Sequence, residues 1–166
     1  MTSLFQPNES IASQRLRLSA LDPALIDTMP WLEAALAPDW TVDDLRHALL
    51  THEGVLISDA ESSPLGIAVV QVDAVAGAIC IPFVGIDPTR RFRGLGGEAG
   101  LAIERHLRAH LGAARFLAPI PDGRGLAVYF WLRLGYRPLL GSESPGALVG
   151  LTSEAPAGIW MVRDTS

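Results

Sequence analysis

The chain has 166 residues, 49% of them hydrophobic and 19% charged, and a formal net charge of −5 at pH 7. That length and balance fit one globular domain with a sizeable core, spanning 1–166 with its core at about 15–164, and exclude intrinsic disorder. The acidic balance argues against a nucleic-acid partner, because the arginines gather at one turn and not along a basic stripe.

In chain order, residues 15–21 alternate apolar and polar side chains as a half-buried strand does. Asp22-Pro23 places a helix N-cap before a proline at the first helical position, and the helix should reach about residue 36 with a break or kink at Pro30. Thr41 and Asp44 form a capping-box pattern for a helix over 42–52, which Gly54 ends. Residues 55–58 and 65–72 read as strands joined by a turn. A third strand covers 78–86, where Pro82 and Gly85 point to a bulge or an unpaired edge. A helix then runs to Gly112, with Leu95, Ala99, Ala102, Ile103, His106, Leu107 and Leu111 on one face and Glu104–Arg108 expected as an exposed i, i+4 pair. A strand over 115–120, a helix over 125–134 closed by Gly135, a strand over 136–140, a loop over 141–158 and a strand over 159–163 complete the order. The result is β-α-α-β-β-β-α-β-α-β-β, an α/β (α+β) domain whose mixed sheet is mostly antiparallel and flanked by helices.

The most informative stretch is Val84-Gly-Ile-Asp-Pro-Thr-Arg-Arg-Phe-Arg-Gly-Leu-Gly-Gly97. A strand ends, two arginines bracket Phe92, and a glycine turn opens a helix. Main-chain N–H groups at a helix start have no partner inside the helix and lie at its positive end, which suits a phosphate or diphosphate. Gly94, Gly96 and Gly97 let a ligand approach the backbone, and Arg91 and Arg93 offer forked donors to phosphate oxygens. Two other readings of the glycines stand beside this one. Gly94-Leu-Gly-Gly-Glu-Ala99 also satisfies the dinucleotide fingerprint of an oxidoreductase, and the turn could be purely structural.

Arg91-Phe92-Arg93-Gly94-Leu95-Gly96, preceded by Pro88, together with the block from Ala127 to Tyr136, resembles the GNAT superfamily of acetyl-CoA-dependent N-acetyltransferases. The resemblance implies acetyl-CoA as cosubstrate, transfer of its acetyl group to a primary amine of a small molecule or amino-acid-like acceptor or to a peptide amine, and a homodimer. It implies that the amides of 92–97, with Leu95 among them, hold the diphosphate of coenzyme A. It further implies that Val84, Gly85 and Ile86 pair their backbone with the pantetheine arm. Arg124 stands where similar proteins carry an asparagine that contacts the cofactor. Phe130 and Trp131 read as cofactor wall or core, and Trp31 and Trp40 as candidate walls of the acceptor site. Trp131 departs from the family's tyrosine, whose hydroxyl can protonate the leaving thiolate; an indole N–H is no practical acid. Tyr129, about 200° round the helix, does not replace it. This departure motivates an alternative reading: a GNAT-fold module that binds acyl-CoA without efficient turnover.

No general base stands out in the sequence. Glu33, Asp73 and Asp122 are candidates for a water-mediated role, and His47, His52, His106 and His110 can titrate near neutrality. His106 and His110 are spaced to share a metal, but no third ligand accompanies them, so no metal is expected. The single cysteine, Cys80, reads as a buried strand residue and fits a reducing compartment. The N-terminus lacks a basic region followed by an apolar run, and the apolar stretch at 74–86 is too broken to span a bilayer. A soluble cytoplasmic protein with no membrane partner is the expectation.

Overall fold

The computed structural model describes residues 3–6, 10–72, 78–139 and 158–165. Among them, eight strands form one sheet in the order β1-β2-β3-β4-β5-β6-β8-β7. The strands are β1 (Ile11–Ala12), β2 (Leu16–Ala20), β3 (Glu53–Asp59), β4 (Pro64–Gln71), β5 (Ala78–Ile86), β6 (Arg115–Pro121), β7 (Arg137–Pro138) and β8 (Gly158–Asp164). The α-helices are α1 (Leu32–Leu36), α2 (Val42–Ala48), α3 (Leu95–Leu111) and α4 (Gly125–Arg133). The pattern expected from sequence is found, with the two-residue β1 as an addition. The helix expected from residue 22 to about 36 is two pieces. Asp22 caps a 3-10 turn over Pro23–Thr28 by accepting from the Ala24 amide, and α1 begins only after Pro30, which cannot donate to a continuing helix. The capping box is formed: Thr41 and Asp44 each accept from the other's amide, and those hydrogen bonds hold the Asp44 carboxyl below the usual carboxylate range.

Every strand pair is antiparallel except β5 and β6, which α3 connects as a βαβ unit. That one parallel pair does not make a doubly wound parallel sheet, so the dinucleotide-fold reading is set aside. Helices cover both faces of the sheet. One core joins Leu18, Ile57, Val70 and Ile81 of the sheet to Ala99, Ile103 and Leu107 of α3 and to Trp131 of α4. The other joins Leu56, Ile67 and Val69 to Leu32 and Leu36 of α1 and Leu45 of α2.

Two irregularities in β5 position the site. The register against β4 slips by one residue, from Val69↔Phe83 to Gln71↔Cys80, so an extra residue is accommodated around Ile81 and Pro82. Side-chain alternation flips there. Ile79 and Ile81 face the α3 core before the bulge, Val84 and Ile86 face it after, and Phe83 is thereby turned toward α1 and α2. The ladder between β5 and β6 also stops at Cys80↔Leu117. Beyond it β5 keeps only β4 and β6 keeps only β8, so the strands part and leave two facing free edges. Among the described residues, no helix is long and apolar enough to cross a membrane.

α3 is buried on a wider face than its apolar residues outline, and this corrects the Glu104–Arg108 pair expected on the surface. Glu104 is 2% exposed, accepts from the Tyr136 hydroxyl at 2.5 Å and pairs with Arg163 of β8 at 2.8 Å. A buried carboxylate persists only when hydrogen-bonded and paired in this way.

Candidate functional site

The open edge of β5 leads along residues 81–86 to the glycine turn at the start of α3. Asp87 caps a 3-10 turn over Pro88–Arg90, and the chain then passes through Phe92 and Gly94, both with left-handed backbone (φ 64° and 74°). Gly94 is the N-cap of α3 and has no side chain with which to cap it. Among the described residues, no amide from Phe92 to Gly97 donates a hydrogen bond to another protein group. The Glu98 amide is the first to bond back, to the Gly94 carbonyl at 3.0 Å. The turn therefore presents a set of unfilled donors at a helix N-terminus, the arrangement that binds anions.

Arg15 fixes this geometry, a residue that sequence reasoning did not single out. Its Nε pairs with Glu98 at 2.7 Å and its Nη1 donates to the Arg93 carbonyl at 3.0 Å. In a trans peptide the C=O and the following N–H point oppositely. Holding the Arg93 carbonyl toward Arg15 therefore turns the Gly94 N–H away from it. Glu98 also accepts from the Arg15 amide and from Ser13 Oγ. Burial opposes its ionisation, but these hydrogen bonds and the Arg15 charge together hold its carboxyl below the ordinary range. No sequence pattern announces Arg15, because β2 is brought to α3 only by the fold.

The expected cofactor residues converge in part. Arg91 donates through Nε to the Ile86 carbonyl at 3.4 Å, at the end of the free strand edge. Gly96 lies under Phe130 and Ile86, whose side chains would stand 3.3 and 3.6 Å from a Cβ added there. Gly97 serves another purpose than ligand approach: an added Cβ would lie 3.2 Å from Leu134, so this glycine lets α4 pack against α3. Leu95 is a buried core residue that contributes its main chain to the turn, and Arg93 is exposed. At Gly85 an added Cβ would lie 2.5 Å from the Phe83 ring, so that ring occupies the space beside this glycine and would have to shift for any other residue. Val84 packs toward the α3 core.

Arg124, just before α4, is turned to Asp39, with Nε and Oδ2 3.2 Å apart. The contact is an ion pair lacking hydrogen-bond alignment at Nε, which is itself buried. Trp40 packs against Phe83 with ring centroids 5.4 Å apart, so it reaches the bulged part of β5. Trp31 lies in the same α1–α2 cluster. Trp131 is 5% exposed and packs edge-on to Phe130 and against Tyr136 at 4.6 Å. Tyr129 is exposed beneath the Arg133 guanidinium.

The base candidates are not brought together. Glu33, Asp122 and His47 are exposed, and Asp73 lies outside the described residues. His52 hydrogen-bonds Thr51, His106 the Leu4 carbonyl, and His110 the His106 carbonyl. Among the described residues, no cluster of three His, Cys, Asp or Glu side chains is placed to hold a metal. Cys80 is buried where β5 and β6 part, and burial pushes its thiol up to about 12, so it holds no reactive thiolate at neutral pH.

No family model and no curated protein matches the sequence. Solved structures do match, over nearly the whole chain. A ribosomal L7/L12 alpha-N-protein acetyltransferase in complex with coenzyme A superimposes with a TM-score of 0.68 at 15% identity, covering 95% of this chain and 98% of its own. A GNAT-family acetyltransferase from Elizabethkingia anophelis with acetyl-CoA bound gives 0.65 at 10%, covering 92% and 99%. An acetyltransferase from Thermus thermophilus gives 0.63 at 19%, covering 94% and 99%. The fold is the GNAT fold that the two sequence blocks resemble.

Proposed function

We propose that this chain is an acyl-CoA-dependent N-acyltransferase, most simply one that moves acetyl from acetyl-CoA to a primary amine of a small molecule or amino-acid-like acceptor. One observation carries the reading: a set of unfilled amides at 92–97 stands at the end of an unpaired strand edge running through Val84, Gly85 and Ile86. The amides suit the diphosphate, and Arg91 and Arg93 add charge beside it. The free edge suits the amide-bearing pantetheine arm, which pairs as an added strand. The strand gap then brings the thioester toward the bulge, where Phe83 and Trp40 wall the α1–α2 side. An amine attacks the carbonyl there, the C–S bond breaks, the thiolate leaves, and the proton shed by the nitrogen passes through water to the thiolate. The chain contributes orientation and main-chain donors to that displacement.

A second reading is favoured by the burial of Trp131: with no hydroxyl at that helix position, the fold would bind acyl-CoA and turn it over poorly. Thiol release from acetyl-CoA, followed across a panel of primary amines, separates the two. Amine-dependent release establishes the transferase. Coenzyme A binding without release on any acceptor favours the sensor. Failure of the folded protein to bind coenzyme A overturns both.

A further inference from the structure

We propose that Phe92 is a stacking platform for the purine base of the carrier nucleotide, an inference that rests on the acyl-CoA reading above. Phe92 is 98% exposed and has φ 64°. An exposed apolar side chain is ordinary, and a left-handed residue in a turn is ordinary when it is glycine or asparagine. A bulky aromatic that is both strained and wholly in water is neither. Its ring packs on nothing within the described protein, so no contact of the side chain offsets that strain. Glycine would remove both costs.

The backbone around the ring is held in place. Arg91 is tied to the Ile86 carbonyl on one side, and the Arg93 carbonyl is tied to Arg15 on the other. The ring thus projects into solvent from a fixed turn, at the first residue of the run of amides suited to a diphosphate. On the acyl-CoA reading, a nucleotide whose diphosphate sits on those amides has its nucleoside within reach of residue 92. A flat, sequence-tolerant π surface at that point suits a purine face. The chemical class selected is a carrier with a base beyond its diphosphate. An acyl-phosphopantetheine borne on a protein lacks that base and gains nothing from the ring.

The test is equilibrium titration of coenzyme A and of 4′-phosphopantetheine into wild type, Phe92→Ala, Phe92→Gly and Phe92→Trp. Phe92→Ala should weaken coenzyme A about tenfold and leave 4′-phosphopantetheine unchanged. Phe92→Trp should retain coenzyme A. Phe92→Gly should raise the melting temperature by relieving the backbone and still lose coenzyme A affinity. Unchanged coenzyme A affinity in Phe92→Ala, or an equal loss for both ligands, overturns the stacking role. Wild type that binds neither ligand overturns the acyl-CoA reading, and the base platform with it.

Discussion

Trp131 shows how one side chain constrains the chemistry available to the whole site. Its indole fills the space between α4 and the sheet, against Phe130 and Tyr136. The neighbouring hydroxyl, that of Tyr136, is already committed to Glu104, and burial first of all, then the Glu104 charge, pushes its ionisation far above the ordinary range. Tyr136 is therefore no substitute acid. Trp131→Tyr should cost about 1–3 kcal/mol in unfolding free energy, because a smaller ring leaves part of the cavity unfilled. It should not lower thiol release per folded molecule, and it raises release if proton delivery is limiting. Urea unfolding beside steady-state release checks both. A large fall in kcat at full folding would show that the indole itself works in the reaction. That Phe130 and Trp131 face the core was legible in the sequence, since with Ala127 and Leu134 they fall at the 3.6 period of one helix face. What Trp131 touches was not, because Tyr136 reaches it only after the chain reverses at Gly135 (φ 89°).

At the scale of elements, the glycine turn was legible because everything that shapes it is local: Pro88, the arginines, Gly94 and the start of α3. The clamp that holds the turn was not, since Arg15 and Arg93 are 78 positions apart and no periodicity links them. The bulge in β5 lies between these cases. Pro82 marked it, but the consequence, Phe83 turned to the opposite face, depends on pairing with β4. Arg15→Ala tests the clamp. The Arg15–Glu98 pair is half exposed on the arginine side, so its loss should change stability by about 1 kcal/mol or less. Coenzyme A affinity should fall about tenfold, because the Arg93–Gly94 peptide is no longer oriented. Arg15→Lys should recover only part, since one ammonium does not hold both Glu98 and the Arg93 carbonyl with the same fork. Affinity unchanged in Arg15→Ala would mean that the turn holds its shape unaided.

Across the whole molecule, Glu104 links three regions that are distant in sequence: α3, Tyr136 after α4, and Arg163 on β8. The sequence suggested Arg108 as its partner because i, i+4 spacing is visible and tertiary pairing is not. Burial raises the Glu104 carboxyl above its ordinary value, outweighing the Tyr136 hydrogen bond and the Arg163 charge. A carboxyl whose folded-state value is raised binds its proton more tightly folded than unfolded. Its contribution to stability is therefore fully present below the ordinary glutamate value and is lost as pH rises through the raised one. Glu98 and Asp44 act in the opposite direction, since both are lowered and their contributions are lost only as acid reaches them. Glu104→Gln removes the first effect and leaves the other two. Unfolding free energies of wild type and Glu104→Gln, measured by urea from pH 4 to pH 8, should give a difference that moves against wild type as pH rises from the ordinary glutamate range toward neutrality. Glutamine keeps a hydrogen-bonding oxygen for Tyr136, so the variant should fold at every pH in the series. A difference that stays flat with pH, or moves in favour of wild type as pH rises, would mean that Arg163 and Tyr136 stabilise the ionised carboxylate more than burial penalises it.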